Sequence, residues 1–339
     1  MTGRRSFIRQ RKTDMKNSRK EFILTEAVLA FMIVIVAFVM FREKNSTQLD
    51  KISVIIQDSD DSRWAAFKYG LRMAAADQGV EVFVASTEHR LSASQLGELA
   101  QAQLDLGADA LIIQPVLGEE TEAVLEALAK KTPVVLAGPL PSGSEAVYGL
   151  PFVGPDNYEI GRQLALELLS DYRENLDGKM IGIVSEAAES QAAADRERGF
   201  REAIEGYGGK ILWSVTGFGS SLGKNVLQQQ APVDFVAAMD NSSAMMAGQE
   251  ALANNLHGAL VYGIGCSTEA VYYLDAGKME CLIVPDEFHV GYQSLMEAVR
   301  KMERFFSYEM QDRTVSYTVL RRENLFSKEN QEIIFTMNQ

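Results

Sequence analysis

From Lys51 onward, short β-branched and apolar runs alternate with longer stretches of helical periodicity, and this alternation limits the fold of the 339-residue chain more than any other feature. The runs predict strands at Ile52–Ile56, Val80–Ala85, Ala110–Ile113, Val134–Leu136, Met180–Val184, Ile211–Val215, Phe235–Ala237, Leu260–Ile264 and Cys281–Val284. Between them the periodicity predicts helices at Trp64–Ala76, Ala93–Leu106, Glu119–Lys130, Ile160–Tyr172 and Ala192–Ile204. Strands separated by helical stretches make βαβ units, whose crossovers join parallel neighbours. The expected fold class is therefore α/β with parallel sheets. The rhythm breaks at residues 138 to 155, where Pro139, Pro141, Pro151 and Pro155 gather with four glycines. Four strands precede that break and five follow, so two sheets of ordinary size are expected rather than one. Ligands of open α/β sheets bind at the carboxyl ends of the strands. Two such sheets facing each other place the ligand in a cleft between two lobes.

The amino terminus follows another rule. Residues 1–21 carry eight basic side chains (Arg4, Arg5, Arg9, Arg11, Lys12, Lys16, Arg19 and Lys20), and Phe22–Phe41 then runs for twenty residues with only Thr25 and Glu26 polar. At about 1.5 Å per residue, a helix of that length matches a hydrocarbon core of roughly 30 Å. One membrane span is predicted. The excess of Lys and Arg ahead of it places the amino terminus in the cytoplasm and the residues after Phe41 outside. The edge FVMFREKN has no small-x-small cleavage pattern, and no cysteine precedes Cys266, so the helix itself is the expected anchor. Residues 42–50 form a polar tether. The formal charge is −13, but residues 1–44 hold 10 of the 33 basic groups and only 4 of the 46 acidic ones. A body this acidic repels phosphate backbones, which excludes nucleic acid as a partner.

Motifs for chemistry are sparse. His89, His257 and His289 are scattered and no cysteine pair has ligand spacing, so no metal or other cofactor is expected. Gly217 to Asn225 misses the phosphate-loop signature by one residue of spacing and by an asparagine where a hydroxyl belongs. Gly219-Ser220-Ser221-Leu222-Gly223 does satisfy G-x-S-x-G, with Asp240 and then His257 or His289 downstream. A serine hydrolase using Ser221 is the enzymatic alternative. The bland reading, a glycine-serine loop lining a cleft, is preferred because nothing fixes a partner for the histidine. Cys266 follows one strand and Cys281 opens the next, so two free thiols at opposite ends of the sheet are expected.

The segment KISVIIQDSDDSRWAAFKYGLRMAAADQGVEV, followed in order by LGADALIIQP, TPVVLAG, VGPDNYEIGRQLALEL, DRERGFREAI, AMDNSSAMMAGQEAL and VYGIGCSTEAVYYLDAGK, resembles the sugar-binding family of type I periplasmic binding proteins. The resemblance implies two Rossmann-like lobes joined by a three-crossing hinge, closing on a ligand between them. It implies lobes of 51–154 plus about 287–314, and of 155–286 plus about 315–339. It also implies site residues. Asp61, Arg63 and Trp64 stand where ribose binders hold an amide and two rings, Trp64 as a stacking face or, alternatively, as a cap on the first helix. Arg196 matches an arginine that donates to sugar oxygens, whereas Arg198 reads as a solvated helix residue. Phe218 matches a second stacking ring, and Asp240 and Asn241 match a polar pair in exchanged order. Departures fall at Gly138, at Cys266 after Gly265, and at Pro285 followed by Asp286 and Glu287. They remove polar partners that separate sugar epimers, and the acids left suit a hydroxyl-rich, amino-bearing or cationic ligand. The expected function is an extracytoplasmic solute-binding protein, a binder of carbohydrate rather than an enzyme, delivering to an ABC permease. The alternative partner is a membrane histidine kinase that senses the closed state.

Overall fold

The computed structural model describes residues 29–34, 49–57, 63–87, 89–116, 120–138, 149–186, 191–217, 226–303 and 309–337. Asp50–Gln339 forms one compact body, separate from Met1–Leu49. Residues 29–34 are helical, with Leu29, Phe31, Met32, Ile33 and Val34 exposed. The rest of the expected span, Phe22–Phe41, lies outside the described residues. Among the described residues, no helix is long and apolar enough to cross a membrane.

The first sheet is built by β1 (Lys51–Gln57), β2 (Glu81–Thr87), β3 (Ala110–Ile113), β4 (Val134–Ala137), β5 (Phe152–Pro155) and β11 (Arg313–Val315), with α1 (Arg63–Gln78), α2 (Ala93–Asp105), α3 (Thr121–Ala129) and α8 (Glu287–Met302) packed on it. Its order is β11-β5-β4-β3-β1-β2 and every pairing is parallel. The second sheet holds β6 (Met180–Ser185), β7 (Lys210–Thr216), β8 (Phe235–Ala238), β9 (Leu260–Ile264), β10 (Cys281–Pro285) and β12 (Tyr317–Leu320). Its order is β12-β10-β9-β8-β6-β7, parallel except for β12. Its helices are α4 (Asn157–Asp171), α5 (Gln191–Ile204), α6 (Asn241–Leu252) and α7 (Thr268–Asp275); α9 (Lys328–Thr336) closes the chain.

Six of the seven residues of β1 are buried, because a parallel strand is covered on both faces. Alternation then divides them: Val54 faces Phe67, Leu71 and Val290, whereas Ile55 faces Leu96 and Leu125. The second sheet is likewise clamped between a layer with Leu164 and Phe200 and a layer with Ala244 and Leu274. The chain passes from one sheet to the other three times. β5 leads through Asp156 into α4, β10 leads through Asp286 into α8, and β11 leads through Ser316 into β12.

In each half a pair of glycines lets two helices touch backbone to backbone. A Cβ on Gly70 of α1 would lie 2.0 Å from the Phe288 carbonyl oxygen, and one on Gly291 of α8 would lie 2.1 Å from that of Phe67. The second half repeats the device: a Cβ on Gly161 of α4 would meet the Arg196 carbonyl oxygen, and one on Gly199 of α5 would lie 2.1 Å from the Tyr158 carbonyl oxygen. The last strands are pinned by ion pairs. Arg313 of β11 holds the buried Glu297 of α8, and Arg321, just after β12, holds Glu167 and Asp171 of α4.

Three sequence expectations need correction. The proline and glycine-rich stretch is not wholly a break, since Phe152–Pro155 forms β5 between β4 and β11. The sheets hold six strands each rather than four and five, because β5 ends in glycine and proline and β11 and β12 carry polar residues, so none of the three stands out as an apolar run. The second sheet also carries an antiparallel edge.

Candidate functional site

The described residues that the sequence offers as ligand groups gather at the carboxyl edges of the two sheets and at the crossings. Asp61, Phe218 and Ser221 lie outside the described residues. Arg63 is the first residue of α1.

At the edge of the first sheet, β1 ends on Gln57, which is buried and bonded on all sides. Its N–H donates to Gln114 Oε1 at 2.7 Å, its side-chain Oε1 accepts from the Leu91 N–H at 2.8 Å, and its carbonyl accepts from Trp64 Nε1 at 3.0 Å. Trp64 is 1% exposed, with its ring edge-on to Phe67 at 5.1 Å. The indole thus packs beneath the strand edge, beside the start of the first helix. Gly138, just past β4, has φ +89°, and a Cβ there would lie 3.4 Å from Trp64 Cη2. A side chain at 138 would be strained by that backbone conformation, which accounts for the absence of a polar residue. Gln57 and Gln114 escaped the sequence reading. Both close an apolar run, Ile55-Ile56-Gln57 and Ile112-Ile113-Gln114, and a polar residue ending a buried strand was the available signal.

At the edge of the second sheet, Asp240 caps α6. Its Oδ1 accepts from the Ser243 N–H (2.8 Å) and Oγ (2.7 Å), and its Oδ2 from Ser185 Oγ (2.9 Å) and the Glu186 N–H (2.7 Å). A carboxylate has about four acceptor positions, and here four donors fill them. Asp240 therefore clasps β6 to α6. Asn241 turns its Oδ1 to the Cys266 N–H at 3.0 Å, and a Cβ on Gly265 would lie 2.9 Å from that same Oδ1. Glycine at 265 is what this approach requires. Cys266 is buried, as is Cys281. Cys281 pairs in register with Tyr262, four residues before Cys266. At about 3.3 Å per residue the two thiols sit near opposite ends of the sheet, as the sequence predicts.

Asp286 is also a cap. Its Oδ1 accepts from the His289 N–H at 3.0 Å, its Oδ2 lies 2.6 Å from His289 Nδ1, and its own N–H donates to the Ser316 carbonyl at 3.1 Å. It ties the second crossing to the third. The hydrogen bond to Asp286 raises the His289 imidazole above its ordinary value. Glu287, first in α8, is buried.

Arg196 is placed differently. It projects from α5 to the edge of the second sheet, where its Nε donates to Asn157 Oδ1 at 2.8 Å and its Nη1 to the Met239 carbonyl at 2.9 Å. Two of its donor groups are thus fixed, which sets the plane of the guanidinium beside the first crossing. Arg198 is half exposed, paired with Asp195 at 2.7 Å, as a surface helix arginine should be. Among the described residues, no group of three or more His, Cys, Asp or Glu side chains gathers to hold a metal ion.

Two open α/β sheets are thus joined by three crossings, with polar residues at the carboxyl edges of their strands. Residues 52–304 match the family model described as a periplasmic binding protein domain, and the chain belongs to that family. Members of this family bind solutes and are not enzymes, so no catalytic role falls to Ser221. Solved structures share the fold. An ABC transporter solute-binding protein from Burkholderia graminis, in complex with D-arabinose, superposes with a TM-score of 0.73 at 13% identity, over 82% of this chain and 98% of that one. One from Bacillus halodurans with bound myo-inositol gives 0.72 at 18% identity, over 86% and 99%. A carbohydrate transporter solute-binding protein from Agrobacterium radiobacter, in complex with D-arabinose, gives 0.71 at 18% identity, over 85% and 100%. No curated protein matches the chain by sequence.

Proposed function

We propose that this chain is a membrane-tethered extracytoplasmic solute-binding protein that takes a sugar or related polyol between its two sheets and hands it to an ABC permease. The observation that carries the reading is Arg196, a half-buried guanidinium held in a set plane at the carboxyl edge of the second sheet. Paired N–H donors in fixed geometry suit the ring and hydroxyl oxygens of a pyranose. Relatives of the same fold hold D-arabinose and myo-inositol, which supports a hydroxyl-rich ligand. The lobes in this reading are 51–154 with about 287–314, and 155–286 with about 315–339. The tethering rests on the apolar run Phe22–Phe41, of which Phe31, Ile33 and Val34 stand more than half exposed.

A thermal-shift panel of monosaccharides, polyols, amino sugars and nucleosides on residues 50–339 tests the ligand class. A ligand at 100 times its dissociation constant adds about 2.7 kcal/mol of stability. Stabilisation by a sugar or polyol is expected; a response to nucleosides alone, or to nothing, would overturn the sugar assignment. Delivery is tested by whether the loaded chain raises ATP hydrolysis by a purified ABC sugar permease complex. For the tether, the full-length chain should stay with membranes after alkaline carbonate washing, and a chain starting at residue 45 should not.

A further inference from the structure

Asn157 stands at a junction that the binding reading alone does not use. It is the first residue of α4, immediately after Asp156 in the first crossing, and its Nδ2 donates back to the Pro155 carbonyl at 3.3 Å. Its Oδ1 accepts from Arg196 Nε at 2.8 Å. One turn further along α4, Gly161 brings the helix against the backbone of Arg196 itself: a Cβ there would also clash with the Arg196 carbonyl carbon and Cα, at 2.5 and 2.6 Å. Arg196 is therefore held to α4 twice, by its main chain at Gly161 and by its side chain at Asn157. Asp156 fixes the start of α4 by accepting from the Glu159 N–H at 2.9 Å. The guanidinium, the helix start and the crossing are thus joined through one amide.

We infer that Asn157 is a positioning residue for ligand binding. It orients Arg196 from the first crossing, so that the arginine is aimed before ligand arrives and turns with the crossing when the lobes close. This rests on the reading of Arg196 as a ligand group. An amide oxygen suits the task because it accepts from Nε and so fixes the plane of the guanidinium. A merely structural tie between α4 and α5 is already supplied by the paired glycines, so a loss confined to binding separates the two roles.

The test is a double-mutant cycle on the full-length chain in detergent, with D-arabinose and myo-inositol as probes in calorimetric titrations. Asn157→Leu should weaken binding by about tenfold, equivalent to about 1.4 kcal/mol, and Asn157→Asp, which keeps the acceptor, should restore most of it. In an Arg196→Ala background, Asn157→Leu should change nothing further. Equal losses in both backgrounds, or an affinity within twofold of wild type for Asn157→Leu, would overturn the assignment. A second measurement needs no ligand. The Arg196 Nε–H resonance, identified by its absence in Arg196→Lys, should exchange slowly in the unliganded protein and fast in Asn157→Leu; unchanged exchange would also overturn it. If neither probe binds wild type, the sugar reading fails by itself, and the exchange experiment still decides whether Asn157 holds Arg196.

Discussion

Replacing Gly161 by alanine tests the helix crossing on which both the second half of the fold and the placement of Arg196 depend. The new methyl would lie 1.9 Å from the Arg196 carbonyl oxygen. Favourable contact begins near 3.5 Å, so α4 and α5 must part by about 1.5 Å. The obstacle is main chain on both sides, and no rotamer change relieves it. Overpacking of this kind costs roughly 1 to 3 kcal/mol, and a rigid backbone contact belongs at the upper end. Alanine returns about 1 kcal/mol through its better helix propensity, leaving a net loss of about 2 kcal/mol. For a body of this size that lowers Tm by about 3 °C. Thermal denaturation of residues 50–339 followed by circular dichroism reads the shift. Gly97→Ala in α2 is the control, because its methyl would meet only the Val124 side chain, at 3.2 Å, and the propensity gain should leave Tm level or slightly raised. Gly161→Ala and Gly199→Ala combined should fall short of additivity, since parting the helices for one makes room for the other. A Tm for Gly161→Ala equal to or above wild type would refute the reasoning.

Arg321→Ala should destabilise the body by about 3 kcal/mol, because it removes the cation shared by Glu167 and Asp171, which Arg321 contacts at 2.7 and 3.0 Å with its own side chain only 18% exposed. Arg321→Lys should recover only part, as lysine lacks the planar fork; a urea titration showing less than about 1 kcal/mol for the alanine variant would contradict this. The raised His289 pKa means that the folded state favours the imidazolium, so its contribution is full below the ordinary value of 6.5 and fades as pH climbs through the folded value. The side chain is 53% exposed, so solvent screening limits the effect to a few tenths of a kcal/mol; His289→Asn should flatten the pH 6 to 8 stability profile, and an identical slope in the variant would rule the pair out as its source. Both thiols are buried, and burial pushes Cys281 well above the ordinary thiol range. Native protein should therefore leave a thiol reagent unreacted until urea exposes two equivalents, whereas immediate reaction of either would show that the sheet edges are open.

The site was less legible than the fold, for a physical reason visible at Asp240 and Asp286. An aspartate between a strand and a helix reads equally as a ligand group and as an N-cap, and both resemblance and chemistry favoured the ligand. Yet the spacing to Ser243 and to His289 is that of a cap accepting the third N–H of the helix, and Asp156 with Glu159 repeats it. Trp64 was hard to read for another reason. Its position after β1 is written in the sequence, but its burial depends on Gly138 and Phe67, which approach it only in the folded body.

Periodicity and apolar runs, acting over a few residues at a time, determined the βαβ alternation, nine of the twelve described strands, the five helices marked in advance and the opposed placement of the two thiols. Each of those follows from side-chain direction along a local backbone. What joins distant segments was decided only by the tertiary structure: the recruitment of Phe152–Pro155, Arg313–Val315 and Tyr317–Leu320 into the sheets, the glycine-paired helix crossings, and the pairing of Arg196 with Asn157 across 39 residues. A short strand that carries polar residues, glycine or proline does not stand out as an apolar run, and a glycine shows nothing of what approaches it. Both acquire meaning from neighbours that the chain supplies elsewhere.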